Sequence, residues 1–416
     1  MIDPARSVTV IGGGMITHDQ LLPSLYQLQR EGRIGEITVC GQRASTLRAL
    51  AQSGQLAEAF PGKSFTAYPP LSTAADTAEP ELYRKVIAGL APHNIVIVAL
   101  PDHIHYEVIM CALRANQHVI TVKPMVLSAA ESLEIEQEAR TRGLVVGIEY
   151  HKRFDDRSLM ARRRYREGMF GNFRLGTAAL FEKWYYRHSN FQNWCTTERS
   201  DAFTYIGCHY VDLVHFITGL LPTSVSLCGI KEKYPNGNEG YLWTDARVRW
   251  ENGAILNVQN GLGFPDEAPG TNTQGIRMYF SGESGGAYLQ HDDQYRGLRY
   301  SYASRPNGAG STQFAEPSPD YFQYVDMGGP GLTPVGYGFR AVQYLVTQCL
   351  RVAGLPDLAA RQELLRTLDA DGIMATPANS RYNELVIEAA RLSLANDGKE
   401  YQVGSPVRAV TPAPVI

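Results

Sequence analysis

Ser7-Val-Thr-Val-Ile11-Gly12-Gly13-Gly14-Met15-Ile16-Thr17 is the stretch that decides how the first half of this chain is built. The residues from Ser7 to Ile11 read as a buried strand, and the glycines as a turn. Leu21, Leu22, Leu25 and Leu28 then recur at helical spacing. Strand, glycine turn and helix form the context in which G-x-G-x-x-G carries physical meaning. Gly12 permits the tight turn, and Gly14 lets the backbone approach a pyrophosphate at the helix N-terminus. Gly13, Met15 and Ile16 complete the expected cradle, while Thr17 stands where a third glycine would.

Working outward, Glu36 to Cys40 reads as the next strand, ending in Gly41-Gln42-Arg43. A carboxylate at this strand end would hydrogen-bond a ribose 2′-hydroxyl. Its absence, with Arg43 nearby to pair a 2′-phosphate, tips a cofactor assignment of NAD or NADP slightly toward NADP. Strands at Asn94 to Leu100, His118 to Val122 and Leu144 to Glu149 alternate with helices over about 105–115 and 129–142. Such alternation with near-continuous apolar strands predicts a doubly wound parallel sheet, an α/β Rossmann domain over residues 1–150. Ligands bind beyond the carboxyl ends of these strands. Leu100, Pro101, His105, Lys123, Pro124 and the run Tyr150 to Phe154 leave those ends.

A second segment, Thr204 to Gly219, places Gly207 before His209, and Asp212 three residues further on. Apolar spacing from Val211 to Ile217 predicts a helix that stops at Gly219. A histidine near the start of a buried helix can face a cleft and take a proton, and its ordinary pKa of about 6.5 suits that work. His209, Asp212 and His215 also have an H-x-x-D-x-x-H pattern, but His215 falls about 60° off the shared face, so no metal is expected.

From residue 151 to 416 the pattern becomes β-rich, predicting an α+β domain for substrate binding and oligomerisation around a mainly antiparallel open sheet. Strands are read at 173–181, 224–230, 244–250, 254–259 and 276–280, with Asn252-Gly253 signalling a type I′ hairpin. The exposed face of an open sheet favours a homo-oligomer, a dimer or tetramer. Lys183 to Trp194 interleaves aromatic and polar groups, including Trp184 and Tyr185, a composition that suits sugar rings. Long loops are read at Phe264 to Asn272 and Arg305 to Tyr337. Five arginines between Arg157 and Arg166 read as a solvated helix face.

Composition bounds the function classes. A chain of 416 residues exceeds one core, and 44% hydrophobic with 19% charged residues is globular. A net charge of −3 gives no reason to expect a nucleic-acid partner. The apolar runs are too short to span a membrane, and no signal peptide is visible at the first residues. Six scattered cysteines without a C-x-x-C pair read as free buried thiols in a reducing cytoplasm.

The glycine turn, Pro101-x-x-x-His105, Lys123-Pro124, Arg153-Phe154 and Gly207-x-His209-x-x-Asp212, in that order, resemble the glucose–fructose oxidoreductase / inositol dehydrogenase / MocA (Gfo/Idh/MocA) family. The resemblance runs over about residues 7 to 400. It implies a nicotinamide-dependent oxidoreductase acting on a small-molecule sugar, inositol or related polyol, with Lys123 and His209 facing the substrate carbinol. Arg153, Asp212, Trp184 and Tyr185 join them as expected substrate-binding residues. Two positions depart from the family pattern: Val122 precedes Lys123-Pro124 where a glutamate is usual, and Tyr205 stands where an aspartate is usual. Tyr205 is open to two roles, donating to the substrate oxygen or packing. The same residues would equally serve an NAD-dependent lyase or glycosidase working through a transient ketone, and a non-catalytic sugar or cofactor sensor is the third alternative.

Overall fold

The apolar runs of the first half become one sheet and the alternating runs of the second half another. The structure, a computed structural model, describes residues 6–74, 77–268, 270–283, 285–292, 296–303, 311–318 and 320–404. Its first strands and helices are β1 (Val8–Ile11), α1 (Leu22–Arg30), β2 (Ile37–Cys40), α2 (Ala44–Ala51), α3 (Gly54–Ala59) and β3 (Thr66–Tyr68). They continue as α4 (Leu82–Ala88), β4 (Ile95–Val98), α5 (His105–Arg114), β5 (His118–Val122), α6 (Ala129–Arg142) and β6 (Val146–Glu149). The strands pair in the order β3-β2-β1-β4-β5-β6, every neighbour parallel. All the carboxyl ends therefore lie on one edge, where a doubly wound sheet holds its ligands. The helix after the glycine turn enters through a π-helical segment, Thr17–Leu21.

The second half contributes α7 (Asp156–Arg166), β7 (Asn172–Lys183), α8 (Phe191–Trp194), α9 (Cys208–Thr218), β8 (Pro222–Lys233) and β9 (Glu239–Trp250). Next come β10 (Ile255–Phe264), β11 (Asn272–Gly282), β12 (Gly285–His291), β13 (Arg296–Ala303), β14 (Ser311–Ser318), β15 (Gln323–Val325) and β16 (Thr333–Val335). The chain closes with α10 (Tyr337–Ala353), α11 (Leu358–Asp371), α12 (Pro377–Ser380), α13 (Tyr382–Ala395) and β17 (Tyr401–Gln402). The large sheet runs β12-β11-β7-β10-β9-β8-β17, antiparallel throughout except that β7 and β10 are parallel. Val211, Val214 and Ile217 of α9 and Val386 and Ala390 of α13 pack on Leu227, Val248, Val258 and Ile276 to form its core. The opposite face stays open: Leu175, Tyr279 and Tyr288 line up across β7, β11 and β12 and are 45%, 46% and 50% exposed.

Three readings need correction. The Asn252-Gly253 hairpin joins β9 to β10, but Gly253 alone has a positive φ (+81°), and its N–H donates to the Trp250 carbonyl at 2.8 Å. That is a type I turn with a glycine bulge, because Asn252 keeps a negative φ that type I′ forbids. The expected loop from Arg305 to Tyr337 contains β14, β15 and β16, with residues 304–310 and 319 outside the described set. Of the six thiols, Cys228 is exposed and Cys111 half-buried. The first sheet's core also draws on the far end of the chain: Val342, Leu345, Val346, Cys349 and Val352 of α10 pack into its interior. No helix among the described residues is long and apolar enough to cross a membrane.

Within α13, Glu384 is fully buried and neither carboxylate oxygen has a partner among the described residues. Burial pushes its pKa up to about 8 from 4.5. The fold thus holds a proton that the unfolded chain releases, so stability falls as pH rises from about 4.5 through 8. Glu384→Gln should raise the melting temperature at pH 9 and leave it unchanged at pH 5, as read by scanning calorimetry.

Candidate active site

The glycine turn comes first because it fixes where a cofactor can lie. Gly12 has φ +119°, and a Cβ there would sit 2.0 Å from the Ala99 carbonyl oxygen. No other residue fits between β1 and the end of β4. A Cβ on Gly14 would meet no protein atom within 4 Å, so the turn faces open space at the helix start. The hydroxyl of Thr17 donates to the Gly12 carbonyl at 2.7 Å and closes the turn without a third glycine. Met15, next in the turn, packs against the aromatic cluster of Phe191, Trp194 and Tyr234 in the second half. Ile16 packs toward the first sheet's core. Gly41 ends β2, and Arg43 is exposed just before α2. This open cradle fits a dinucleotide.

Pro101 and His105 follow Leu100 off the end of β4. His105 is fully buried, with Nε2 2.7 Å from the Leu100 carbonyl and Nδ1 2.9 Å from the Pro124 carbonyl. It braces the ends of β4 and β5 against each other, in place of the cofactor contact expected of it. Lys123 leaves β5 through a cis peptide to Pro124. Its ammonium donates to the Tyr205 carbonyl and lies 3.8 Å from the centre of the Tyr205 ring. That ring is held edge-on by Phe191 and Trp194, at centroid distances of 4.7 and 5.6 Å. Of the two roles open to Tyr205, the geometry displays packing: it seats Lys123 with its carbonyl and its ring face.

His209 arrives from α9, after a π-helical run Phe203–Gly207. A Cβ on Gly207 would come within 2.5 Å of Asn260 Oδ1 and the Phe203 ring, so a larger residue would push this helix start off the sheet. The imidazole is 3% exposed, and its Nδ1 has no hydrogen-bond partner among the described residues. Burial, with the nearby His151, Lys123 and Lys152, holds its pKa well below the ordinary value. Its ring lies 4.5 Å from His151 and 6.1 Å from Tyr150, centre to centre. Lys123 and His209, 86 positions apart, thus reach the same seam between the two sheets.

Arg153 and Asp212 go elsewhere. The Arg153 guanidinium is buried and donates twice to Asp212, at 2.8 Å through Nε and 2.6 Å through Nη2. The Tyr382 hydroxyl donates to the same carboxylate at 2.8 Å. With every strong donor engaged internally, the pair fastens the turn after β6 to α9 and α13 instead of meeting substrate as expected. His215 turns away, its Nδ1 2.8 Å from the Leu220 carbonyl, and no metal-holding cluster exists among the described residues. Trp184 and Tyr185 stand on a short 3-10 turn (Trp184–His188), 45% and 47% exposed, with Arg187 over the Trp184 ring at 3.9 Å. Lys183 pins the neighbouring loop by donating to the Pro265 and Asp266 carbonyls at 2.9 and 3.0 Å.

Several site residues escaped the sequence reading. His151 contacts Glu149 Oε2 at 3.1 Å, while Glu149 Oε1 accepts from Gln20 Nε2 at 2.8 Å, joining the strand end to the helix after the glycine turn. The Tyr321 ring lies tilted against His151, 4.9 Å centre to centre. Lys152 donates to Gln274 of β11 and is buried. Within the run from Tyr150 to Phe154 the sequence singles out Arg153; the two basic residues before it, His151 and Lys152, were the available signal for the rest.

A parallel dinucleotide-type sheet, joined to a largely antiparallel one with a lysine and a histidine at the seam, defines a two-domain Rossmann protein. Two consecutive family models match it: the oxidoreductase family with NAD-binding Rossmann fold over residues 6–150, and the GFO/IDH/MocA C-terminal domain over 158–288. The chain belongs to the Gfo/Idh/MocA family. Among curated relatives it is 34% identical over 104 residues to an uncharacterised oxidoreductase of Schizosaccharomyces pombe, covering 24% of this chain and 27% of that one. It is 24% identical over 176 residues to the D-glucoside 3-dehydrogenase of Escherichia coli K12, covering 42% of this chain and 43% of the relative. The matches therefore span less than half of those relatives. The fold also matches the structure of scyllo-inositol dehydrogenase from Lactobacillus casei with NAD(H) and scyllo-inositol, at TM-score 0.60 and 14% identity, over 96% of this chain and 100% of that one.

If Asp212 serves as the partner of Arg153, Asp212→Asn strands a buried guanidinium and should cost about 3–5 kcal/mol. Urea unfolding reads this as a lower midpoint; an unchanged midpoint with a raised KM would return Asp212 to the substrate.

Proposed function

We propose that this protein transfers a hydride between a nicotinamide cofactor and a secondary carbinol of a sugar or cyclitol. The observation that carries the reading is the convergence of Lys123 and His209 at the seam reached by the glycine turn through Met15. NAD or NADP, when bound, supplies the hydride acceptor or donor. Gly12, Gly13 and Gly14 would hold its phosphates at the helix start, where backbone N–H groups and the helix dipole favour anions.

In the oxidising direction the carbinol O–H bond breaks and its proton goes to His209. Its imidazole is neutral and its Nδ1 has no partner among the described residues, so a lone pair is free for that proton, although burial and the neighbouring cations make it a weaker base than a free histidine. The C–H electron pair leaves as hydride, and the C–O bond becomes a carbonyl. Lys123, seated by Tyr205, stabilises the negative charge that develops on the oxygen. Exposed Trp184 and Tyr185 offer ring faces to the C–H side of a sugar. The D-glucoside and scyllo-inositol activities named for the relative and the structural neighbour support a polyol substrate. Gly41 and the exposed Arg43 favour NADP, and the apolar row Leu175, Tyr279 and Tyr288 favours a homo-oligomer.

The deciding experiment follows cofactor absorbance across a panel of sugars, glycosides and inositols with NAD and NADP compared. Net reduction with release of a keto product is expected. Cleavage of a glycoside without net reduction would favour the lyase or glycosidase reading. His209→Ala should lower kcat by roughly 10²–10⁴-fold while cofactor binding, read by fluorescence, survives. Analytical ultracentrifugation should show a dimer or tetramer that Tyr279→Asp disperses.

A further inference from the structure

On β7 the residues facing the core are Gly176, Ala178 and Leu180, and the next inward position is Glu182. The register sets it against Leu262 of β10 and Asn272 of β11, one row beyond the pairing of Leu180 with Gln274. At this level the inner face changes character. Ala178 and Ile276 are core residues, whereas Asn272, Gln274 and Glu182 are polar. It is also the level at which Lys152 crosses from the first half to donate to Gln274. Asn272 hydrogen-bonds the Glu182 carboxylate, which lies within Coulombic reach of Lys123 and Lys152. Lys123 touches the carbonyl and ring of Tyr205, and no described carboxylate forms a direct ion pair with it. Glu182 is thus a half-buried acid placed at the end of a hydrophobic row, where the core gives way to polar groups.

We propose that Glu182 is the positioning residue for Lys123, the counter-charge that holds its ammonium aimed at the carbinol oxygen during turnover. This rests on the reading of Lys123 as the group that polarises that oxygen. Around Glu182 stand Lys123 from the end of β5, Lys152 from the turn after β6, Tyr185 and Tyr186 after β7, Tyr205 before α9, and Tyr321. Burial pushes all four tyrosines up from their ordinary range, so they stay neutral near pH 7. Burial likewise pushes Glu182 up to about 7, with the two lysines and Asn272 pulling the other way. Its charge therefore appears as pH rises through neutrality, and turnover should rise with it.

The test compares kcat/KM from pH 5.5 to 9 for wild type, Glu182→Gln and Glu182→Asp, using whichever panel sugar or inositol the wild type oxidises. Cofactor affinity by fluorescence and thermal melting confirm folding. The wild type should climb through about pH 7, and Glu182→Gln should lose the climb and sit on the order of tenfold below the plateau, which corresponds to about 1.4 kcal/mol. Glu182→Asp should keep a climb at a displaced pH with intermediate activity. A Glu182→Gln profile that overlays the wild type overturns the assignment of Glu182 alone. A wild type that binds cofactor but oxidises nothing in the panel overturns the hydride-transfer reading itself.

Discussion

One buried ion pair fixes where the chemistry can happen. Arg153 belongs to the turn that follows β6, and Asp212 to α9, one helical turn beyond His209. Removing both charges from water is costly, and only a close two-pronged geometry offsets it. The turn and the helix therefore cannot slide past each other without exposing an unpaired charge to the interior. Tyr382 adds α13 to the same knot. Because α9 is held in this way, His209 faces the strand end that carries Lys123, and neither residue needs a direct contact with the other to be aligned.

Local charge opposes the global balance. The chain as a whole is slightly acidic, yet the seam gathers Lys123 and Lys152 around an imidazole that burial keeps neutral. The π-helical start after the glycine turn adds the positive end of a helix. Such an environment favours an oxygen that becomes negative and phosphates that already are. Acids are admitted at the margin, where Glu149 is tied to Gln20 and His151, and Glu182 to Asn272.

The sequence was most legible where one local rule acts alone. Near-continuous apolar strands, the glycine turn and the helix from Ala129 to Arg142 emerge at their expected places, since burial on both faces of a parallel sheet leaves little ambiguity. The αL stop of α9 at Gly219 is equally local, with φ +76°. What stayed hidden depends on partners distant in the chain. Arg153 and Asp212 each look like site residues until their mutual pairing is seen. Glu182 falls one residue past the run read as a strand, on a strand that continues to Lys183, and nothing nearby in sequence marks its arrival beside two lysines. Short pieces such as α3 and β3 carry too few residues for a period to show. Asn252-Gly253 was legible as a hairpin but not as a turn type, because that depends on the sign of φ at Asn252, and asparagine adopts either sign.

The return of α10 to the first sheet has an architectural consequence. Its apolar stripe, from Val342 to Val352, covers one side of a core whose other members come from residues before 150 and from Leu368 and Met374 further on. The polypeptide therefore passes between its two halves more than once, and the halves are interlocked as well as linked. A gene fragment ending at residue 150 would encode a sheet stripped of one of its walls. Swapping catalytic halves between relatives would have to carry this helix across with the nucleotide-side portion.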